Sequence, residues 1–459
     1  MVYNNYMLDE PSAEILELLE EKKYADVKLR FSELYPVDIA DIFDDIEDAD
    51  VMLRLFRLIP KDIAADAFAY MDNDTQERII DGINDVELSQ IINDMFLDDC
   101  VDLVEELPAN VIKRVMRTAS SNNRRAINQF LSYPENSAGS IMTNEYVYLH
   151  ADMVAVEALS VIRKTAIDKE TIDYCYVTTR DNRLEGVVSL RTLVLSEPET
   201  PIAELMNANL ITVNTTADQE DIALLFSKYD MLALPVVDQE NRLVGIITID
   251  DAVDVIQDEN TEDFERMAGV APSDDEYLKT PVWKLARNRI VWLMILMISA
   301  MCTEDLINSF QSAFANNLIL VAFIPMLTGT GGNSGSQAST MIIRGMALDE
   351  IHWKDFFVVW WKEIRVAFLC GVSLAAVNFA RIVLLYPSEP KRIVVALVVS
   401  LALILTVILA KSMGCILPMI AKKIKLDPAI MAAPLITTIT DACSILIYFT
   451  IARVLLGIA

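Results

Sequence analysis

Apolar residues recur at helical spacing through residues 1–130, and one short phrase returns there at regular intervals. Pro36-Val37-Asp38-Ile39-Ala40, Pro60-Lys61-Asp62-Ile63-Ala64 and Pro108-Ala109-Asn110-Val111-Ile112 each open on proline, spaced by 24 and then 48 residues. A degenerate copy, Asn84-Asp85-Val86-Glu87-Leu88, stands midway. Proline suits the first turn of a helix, where its missing N–H costs nothing. A 24-residue period predicts one helix pair per repeat, stacked as a small superhelical solenoid over residues 1–135. Four unrelated helix starts are the plainer alternative.

From residue 138 the pattern becomes mixed and occurs twice, over 136–200 and 201–258. Each copy opens near Ile141-Met142-Thr143 or Leu205-Met206-Asn207, then runs helix, β-rich segment, polar turn and second strand. The strands are expected at Tyr174–Thr178 with Gly186–Leu190, and at Leu234–Val237 with Gly245–Ile249. The turns between them are Asp181-Asn182-Arg183-Leu184-Glu185-Gly186 and Glu240-Asn241-Arg242-Leu243-Val244-Gly245. An acidic helix over about 250–268 follows, then a polar linker to residue 280.

Residues 281–459 read as an all-α membrane region with five spans, near 288–308, 314–342, 358–385, 392–420 and 429–457. Basic residues set the orientation. Lys284, Arg287 and Arg289 precede the first span; Arg344, Lys354, Lys362 and Arg365 flank the second connection; Lys422, Lys423 and Lys425 flank the fourth. This distribution predicts a cytoplasmic N-terminal region and, after an odd number of spans, a C-terminus outside.

Charge divides the chain at the same boundary. Residues 1–281 hold 58 acidic and 23 basic side chains, whereas 282–459 hold 9 and 15, within an overall charge of −29. Such acidity excludes a nucleic-acid partner, which needs a basic surface, and favours cations that relieve carboxylate repulsion. The six cysteines are scattered without a C-x-x-C pair, which argues against zinc or redox chemistry. The polar start, with Asp9-Glu10, lacks the features of a signal peptide, so the acidic block is expected to stay in the cytosol.

Four features carry candidate chemistry. The second span contains Pro325, Gly329, Gly331, Gly332, Asn333, Gly335 and Gln337, and is expected to be interrupted. Non-helical backbone in a membrane survives only against protein or a wet cavity. A pore lining provides that; close helix packing through small residues is the alternative. Second, the last span holds Asp441 after Thr437-Thr438-Ile439-Thr440. A carboxylate there must face a partner or a water-filled path. Lys411 is the charge expected at similar depth, so an Asp441–Lys411 ion pair competes with a reading in which two copies of Asp441 meet at a dimer axis. Two carboxylates would match one Mg²⁺, which prefers oxygen ligands and keeps its waters. Asp427, before Pro428, is either a helix cap or part of the mouth of such a path.

Third, Thr248 and Asp251 stand where a strand meets a helix in the second copy. They suit the phosphate and ribose of an adenine nucleotide, or simply a cap; the first copy has Ser189 and Thr192 there and lacks the carboxylate. Fourth, acidic clusters recur: Asp98, Asp99 and Asp102, then Asp250, Asp251, Asp254, Asp258, Glu259, Glu262 and Asp263. Runs of this kind are ordinarily solvated faces, but their number beside the membrane block makes them candidates for cation sensing.

On Pro325 through Gln337, Asp427-Pro428-Ala429 and Thr437 through Asp441, the chain resembles the MgtE family of magnesium channels over nearly its whole length. The resemblance implies an acidic helical N domain, an α/β CBS-domain pair, a connecting plug helix within 250–280 and five membrane helices. It further implies a homodimer in the inner membrane with a pore on the two-fold axis, passing Mg²⁺ inward. High cytosolic Mg²⁺ would close it; ATP at the second CBS domain rests only on Thr248 and Asp251, with the cap as its alternative. It matches Asp441 to the ion-selecting aspartate, Asn333 to the pore motif, and Asp98 with Asp102 to a sensing pair. Asp251, Glu259 and Glu262 fall on the acidic segment leading into the plug. Lys411, where a neutral residue is expected, and Ser444, where glycine is common, depart from the pattern. An alternating-access divalent-cation transporter is the competing mechanism. A membrane enzyme finds no nucleophile–base pair or phosphate loop to support it.

Overall fold

The computed structural model describes residues 9–166, 169–273, 277–278, 280–310, 318–387, 389–431 and 433–456. It divides into two compact units, 1–255 and 256–459, with the boundary inside one helix. Residues 314–317, 432 and 457 of the expected spans, and 274–276 and 279 of the linker, lie outside the described residues.

In the first unit the 24-residue phrases mark helix starts. The helices are α1 (Asp9–Glu20), α2 (Tyr24–Phe31), α3 (Pro36–Asp44), α4 (Ala49–Phe56), α5 (Ala64–Ala69), α6 (Asn73–Gly82), α7 (Asp85–Asp94), α8 (Leu97–Glu106), α9 (Ala109–Thr118) and α10 (Ser121–Phe130). Pro36 occupies the first turn of α3 and Pro108 caps α9. Asn84 caps α7 in a capping box with Glu87, so the degenerate copy uses side-chain hydrogen bonds where the others use proline. Pro60 departs from the expectation: a turn over 61–63 intervenes before α5. Alternate helices stack, α3 on α5, α5 on α7 and α7 on α9, with α4 on α6 and α8 on α10 beside them. Phe31, Phe43, Phe56 and Phe68 continue through the core as an aromatic ladder, with neighbouring centroids 6.0–6.2 Å apart.

The two mixed copies follow. The first comprises β1 (Val147–Leu149), α11 (Ala155–Thr165), β2 (Tyr174–Thr178), β3 (Leu184–Ser189) and α12 (Leu190–Leu195). The second comprises α13 (Ile202–Leu205), β4 (Val213–Asn214), α14 (Gln219–Tyr229), β5 (Ala233–Val237), β6 (Leu243–Thr248) and α15 (Ile249–Met267). Each forms a three-stranded sheet with one parallel and one antiparallel pairing. Even the irregularities repeat: a register shift follows Val177 in one copy and Val236 in the other. Asn182 and Asn241 take the same left-handed turn conformation, at φ 60° and 62°. The returning strands begin two residues earlier than expected.

The opening motifs are exchanged between the copies. Met142 of the first lies against Gly245 of the second, where a Cβ would meet its sulfur at 2.7 Å, and Met206 lies likewise against Gly186 at 2.7 Å. Thr143 bridges Ile246, and Asn207 bridges Val187.

The second unit holds the end of α15 and then α16 (Val282–Ser309), the short α17 (Leu318–Val321), α18 (Ile324–Ala347), α19 (Phe356–Leu385), α20 (Arg392–Lys423) and α21 (Ala433–Leu456). Helix α20 is the hub, packing on α18, α19 and α21. By length and composition, four described helices can cross a membrane: α16, α19 with its preceding 3-10 turn, α20, and α21 with its own. Helix α18 has the length, at 24 residues, but its glycines and hydroxyls make it too polar to qualify.

Two expectations are corrected here. The second span is not interrupted: α18 is one continuous helix from Ile324 to Ala347. Its glycines serve contact instead, the alternative weighed above. Lys411 does not pair with Asp441. Its Nζ lies 3.8 Å from Glu363 on α19, a carboxylate the sequence reading did not place at this depth.

Candidate ion path and cation-sensing residues

The glycines give α18 two faces. On the packed face Gly331, Gly332, Ser334 and Gly335 are buried. A Cβ at Gly331 would meet Thr406 Cγ2 at 2.9 Å and Ser444 Oγ at 3.1 Å, and one at Gly332 would meet Thr437 Cγ2 at 2.8 Å. At Gly335 the neighbours are Ile436 Cγ2 at 2.5 Å and the Ala410 carbonyl at 3.3 Å. These contacts bring α18 against both α20 and α21. The opposite face repeats every fourth residue, through Pro325, Gly329, Asn333, Gln337 and Met341, and all five are exposed. Asn333 and Gln337 therefore form a polar stripe on a helix otherwise wedged into an apolar bundle.

Asp441 is half-buried on α21 and has no hydrogen-bond or ion-pair partner among the described residues. The hydroxyls before it have spent their protons. Thr437 and Thr438 donate to the Pro434 carbonyl at 2.8 and 2.9 Å, and Thr440 donates to Ile436 at 2.8 Å. Their oxygens retain only acceptor capacity. Thr440 is fully buried, but Thr437 and Thr438, one turn before the carboxylate and partly accessible, suit the outward-pointing hydrogens of a hydrated cation.

The Arg344 end of α18 receives the C-terminal part of α15, the expected plug helix. Arg344 donates to Asn260 Oδ1 at 2.9 Å, and Met267 packs on Ile343 and Ala429. Arg266 bridges Glu262, one turn back, and Asp427. Asp427 accepts from the Ala429 N–H at 2.7 Å through its other oxygen, so it acts as a cap and an ion-pair partner at once. Burial raises the Asp263 carboxyl to about 6, reinforced by Asp427, Glu259 and Glu262 and opposed by Arg266. Arg266 and Asp263 carry roles the sequence reading did not assign. A lone arginine in an acidic run was the available signal.

In the first unit the structure brings α8 and the start of α15 together. Asp98, Asp99 and Asp102 face Asp250 and Asp251, and Glu170 joins them from a loop. Loss of hydration raises Asp99 to about 8, with Asp98, Asp102 and Asp251 adding repulsion. Glu170 rises to about 8 and Asp251 to about 7 by the same order of causes, burial and then neighbouring carboxylates. Asp98 and Asp102 are raised as well, again first through burial. Nothing in the residue pattern marked Glu170. Among the described residues no three His, Cys, Asp or Glu side chains converge closely enough to grip one ion directly. Asp254 and Asp258 are exposed along α15, and Glu259 is half-buried.

Thr248 and Asp251 hold one another. The Thr248 hydroxyl donates to Asp251 Oδ2 at 2.7 Å and its N–H donates to the same oxygen at 3.3 Å. That is the cap weighed above, and it leaves Asp251 Oδ1 without a donor among the described residues.

A helical-repeat domain, a pair of CBS-type α/β copies and a bundle of membrane-length helices, with an aspartate that has no partner among the described residues, define a multi-pass membrane transporter with a large non-membrane region. Three family descriptions cover the chain in that order: the MgtE intracellular N domain over residues 34–136, the CBS domain over 138–197 and 202–258, and the MgtE divalent cation transporter over 324–451. The magnesium transporter MgtE of Bacillus subtilis is 32% identical over 448 residues, 98% of each chain. That of Thermus thermophilus is 36% identical over 364 residues, 78% of this chain and 80% of its own. The crystal structure of the cytosolic domain of the Mg²⁺ channel MgtE in complex with ATP matches 53% of this chain and 99% of its own, at 34% identity and a TM-score of 0.50. The chain belongs to the MgtE family of magnesium transporters.

Proposed function

We propose that this chain is a magnesium-selective channel that admits Mg²⁺ to the cytosol as a homodimer and is closed by Mg²⁺ on its acidic region. One observation carries the reading: Asp441 has no counter-charge among the described residues and follows, by one turn, the hydroxyls of Thr437 and Thr438 that can only accept, on a helix packed against the polar α18. Mg²⁺ sheds water reluctantly, so acceptors that hold its hydration shell are the appropriate chemistry. The exposed stripe of Asn333 and Gln337 supports a second copy completing the path, since one chain leaves that face open. With five spans and a cytoplasmic N-terminal region, α18 counts as a span despite its composition, its polar face turned to water.

Closure follows from the carboxylates. At low Mg²⁺, Asp98, Asp99, Asp102, Asp250, Asp251 and Glu170 repel and loosen the acidic region. At high Mg²⁺, hydrated ions bridging them favour the compact form, as do ions near Glu259, Glu262, Asp263 and Asp427 at the docked end of α15. A nearly complete switch requires about 5.5 kcal/mol of differential binding, within reach of several weak sites together. The related ATP-bound domain supports an adenine nucleotide at the second CBS copy, where Asp251 Oδ1 is left to accept ribose hydroxyls.

The test is Mg²⁺ uptake by membranes carrying the parent, Asp441→Asn or Asp441→Ala. Both variants are expected to lose uptake while inserting normally, and undiminished uptake in Asp441→Ala would refute the reading. Unitary current steps in the parent distinguish a channel from coupled alternating access.

A further inference from the structure

Lys411 and Glu363 lie inside the apolar bundle and take no part in the path described above. Lys411 is 5% exposed, and the Glu363 side chain 16%. Lys411 sits twelve residues before Lys423 at the end of α20. The Lys411 side chain is held inside the bundle rather than directed out of it, so the ammonium does not reach water. The charge must be answered within the protein.

The answer comes from α19, a helix whose packing within the chain is chiefly on α20. Lipid is as apolar as leucine, so burial between two such helices does not select one register over another; close small-residue contacts and polar pairs do. Three such contacts mark the seam. A Cβ at Gly371 would lie 3.2 Å from Ile404 Cα. Ser400 Oγ donates to the Ala375 carbonyl at 3.2 Å. Lys411 Nζ stands 3.8 Å from Glu363. The residue numbers in the three pairs add to the same value within one, as a single antiparallel register requires. A slip of one turn would cost the apolar contacts little but would leave two buried charges without their partners. The same stretch of α20 supports the polar helix α18: Ala410, next to Lys411, presents its carbonyl 3.3 Å from the Cβ position of Gly335, and Gly414 abuts Ala338 and Ser339.

We propose that Lys411 and Glu363 form an intramembrane register pin. The pair fixes α19 on α20 and, through α20, the placement of the α18 stripe, so both are positioning residues for ion passage. This inference rests on the reading of α18 and Asp441 as the ion path, and its test separates the two. In a full-length chain lacking its native cysteines, Ala375→Cys with Ser400→Cys reports the seam by oxidative cross-linking in membranes, and Mg²⁺ uptake reports the path. Lys411→Met is expected to slow cross-linking about tenfold and to lower the maximal uptake rate, with the membrane level of protein measured alongside. The charge exchange Lys411→Glu with Glu363→Lys restores both readouts, and Lys411→Arg restores them in large part. The apolar pair Lys411→Met with Glu363→Leu restores neither. Unchanged cross-linking and uptake in Lys411→Met overturn the pin, as does full recovery in the apolar pair. If uptake is insensitive to Asp441→Asn, the ion-path reading fails, while cross-linking still decides the pin.

Discussion

Gly414→Ala places one methyl group where α20 crosses α18. The new Cβ would fall within the van der Waals envelope of the Gly335 carbonyl and lie 3.0 Å from Ala338 Cβ and 3.1 Å from Ser339 N. Two of these atoms are backbone and the third is a Cβ, so no rotamer change clears them. Carbon contacts settle at about 3.5–4.0 Å, so the helices must part by roughly 0.5–1 Å, forfeiting a quarter to a half of the dispersion well along the contact. Overpacking of this kind costs about 1–3 kcal/mol. At about 2–4 °C per kcal/mol the apparent Tm of the detergent-solubilised chain should fall by several degrees, and Mg²⁺ uptake should fall with it. Gly329→Ala, on the open face of α18, is the matched control for packing within one chain, read by Tm and not by uptake. Nothing lies within 4 Å of its Cβ position, so its Tm should hold or rise by the ordinary helix preference of alanine over glycine. Thermal loss of monodisperse protein measures both. A Tm for Gly414→Ala equal to the parent, or a fall confined to Gly329→Ala, would refute the close approach of α18 and α20.

Proton and magnesium should compete for the acidic region. Asp99 and Glu170 titrate near 8 and Asp251 near 7 in the folded chain, against an ordinary value near 4. Because these values are raised, their contribution to stability is fully present below about pH 4 and is lost as pH rises through 7 to 8. In chelator, melting of the full chain should shift upward from pH 8 to pH 6, and millimolar Mg²⁺ should flatten that dependence; a flat profile in chelator counts against the clustered carboxylates. Arg266→Gln removes the bridge between Glu262 and Asp427. With the partly exposed pair worth about 1 kcal/mol, open probability in Mg²⁺-free patches should rise roughly fivefold, and an unchanged value would show that the bridge does not hold α15 docked.

Much of this architecture was legible because its local signals agree with its tertiary contacts. The prolines and Asn84 mark helix starts, and the Asn182 and Asn241 turns mark hairpins. Pro60 misled by four residues, since the turn over 61–63 is decided by packing rather than by proline. The glycines of α18 misled further. Glycine relaxes a backbone and also admits a neighbour, and a linear pattern does not reveal which neighbour waits; Thr437, Thr406 and Ile436 come from helices far along the chain. The polarity of the same residues removes α18 from the set of plainly apolar spans. Glu363 lies close to Lys362 and Arg365, which read as the edge of a span, so its inward orientation toward Lys411 had no one-dimensional trace. Glu170 was hidden for a related reason: a loop carboxylate becomes part of a cluster only when α8 and α15 are folded beside it.

The exchange of Met142 and Met206 ties each CBS copy to the sheet of the other. Each lead segment covers the outer edge of the other copy's sheet, through the hydrogen bonds of Thr143 with Ile246 and Asn207 with Val187. Splitting the pair would uncover two β-edges and vacate two methionine-sized hollows, so each half alone should be markedly less stable than the pair. Because each lead segment is hydrogen-bonded to the opposite sheet, a shift of one copy's edge strand meets the chain of the other directly.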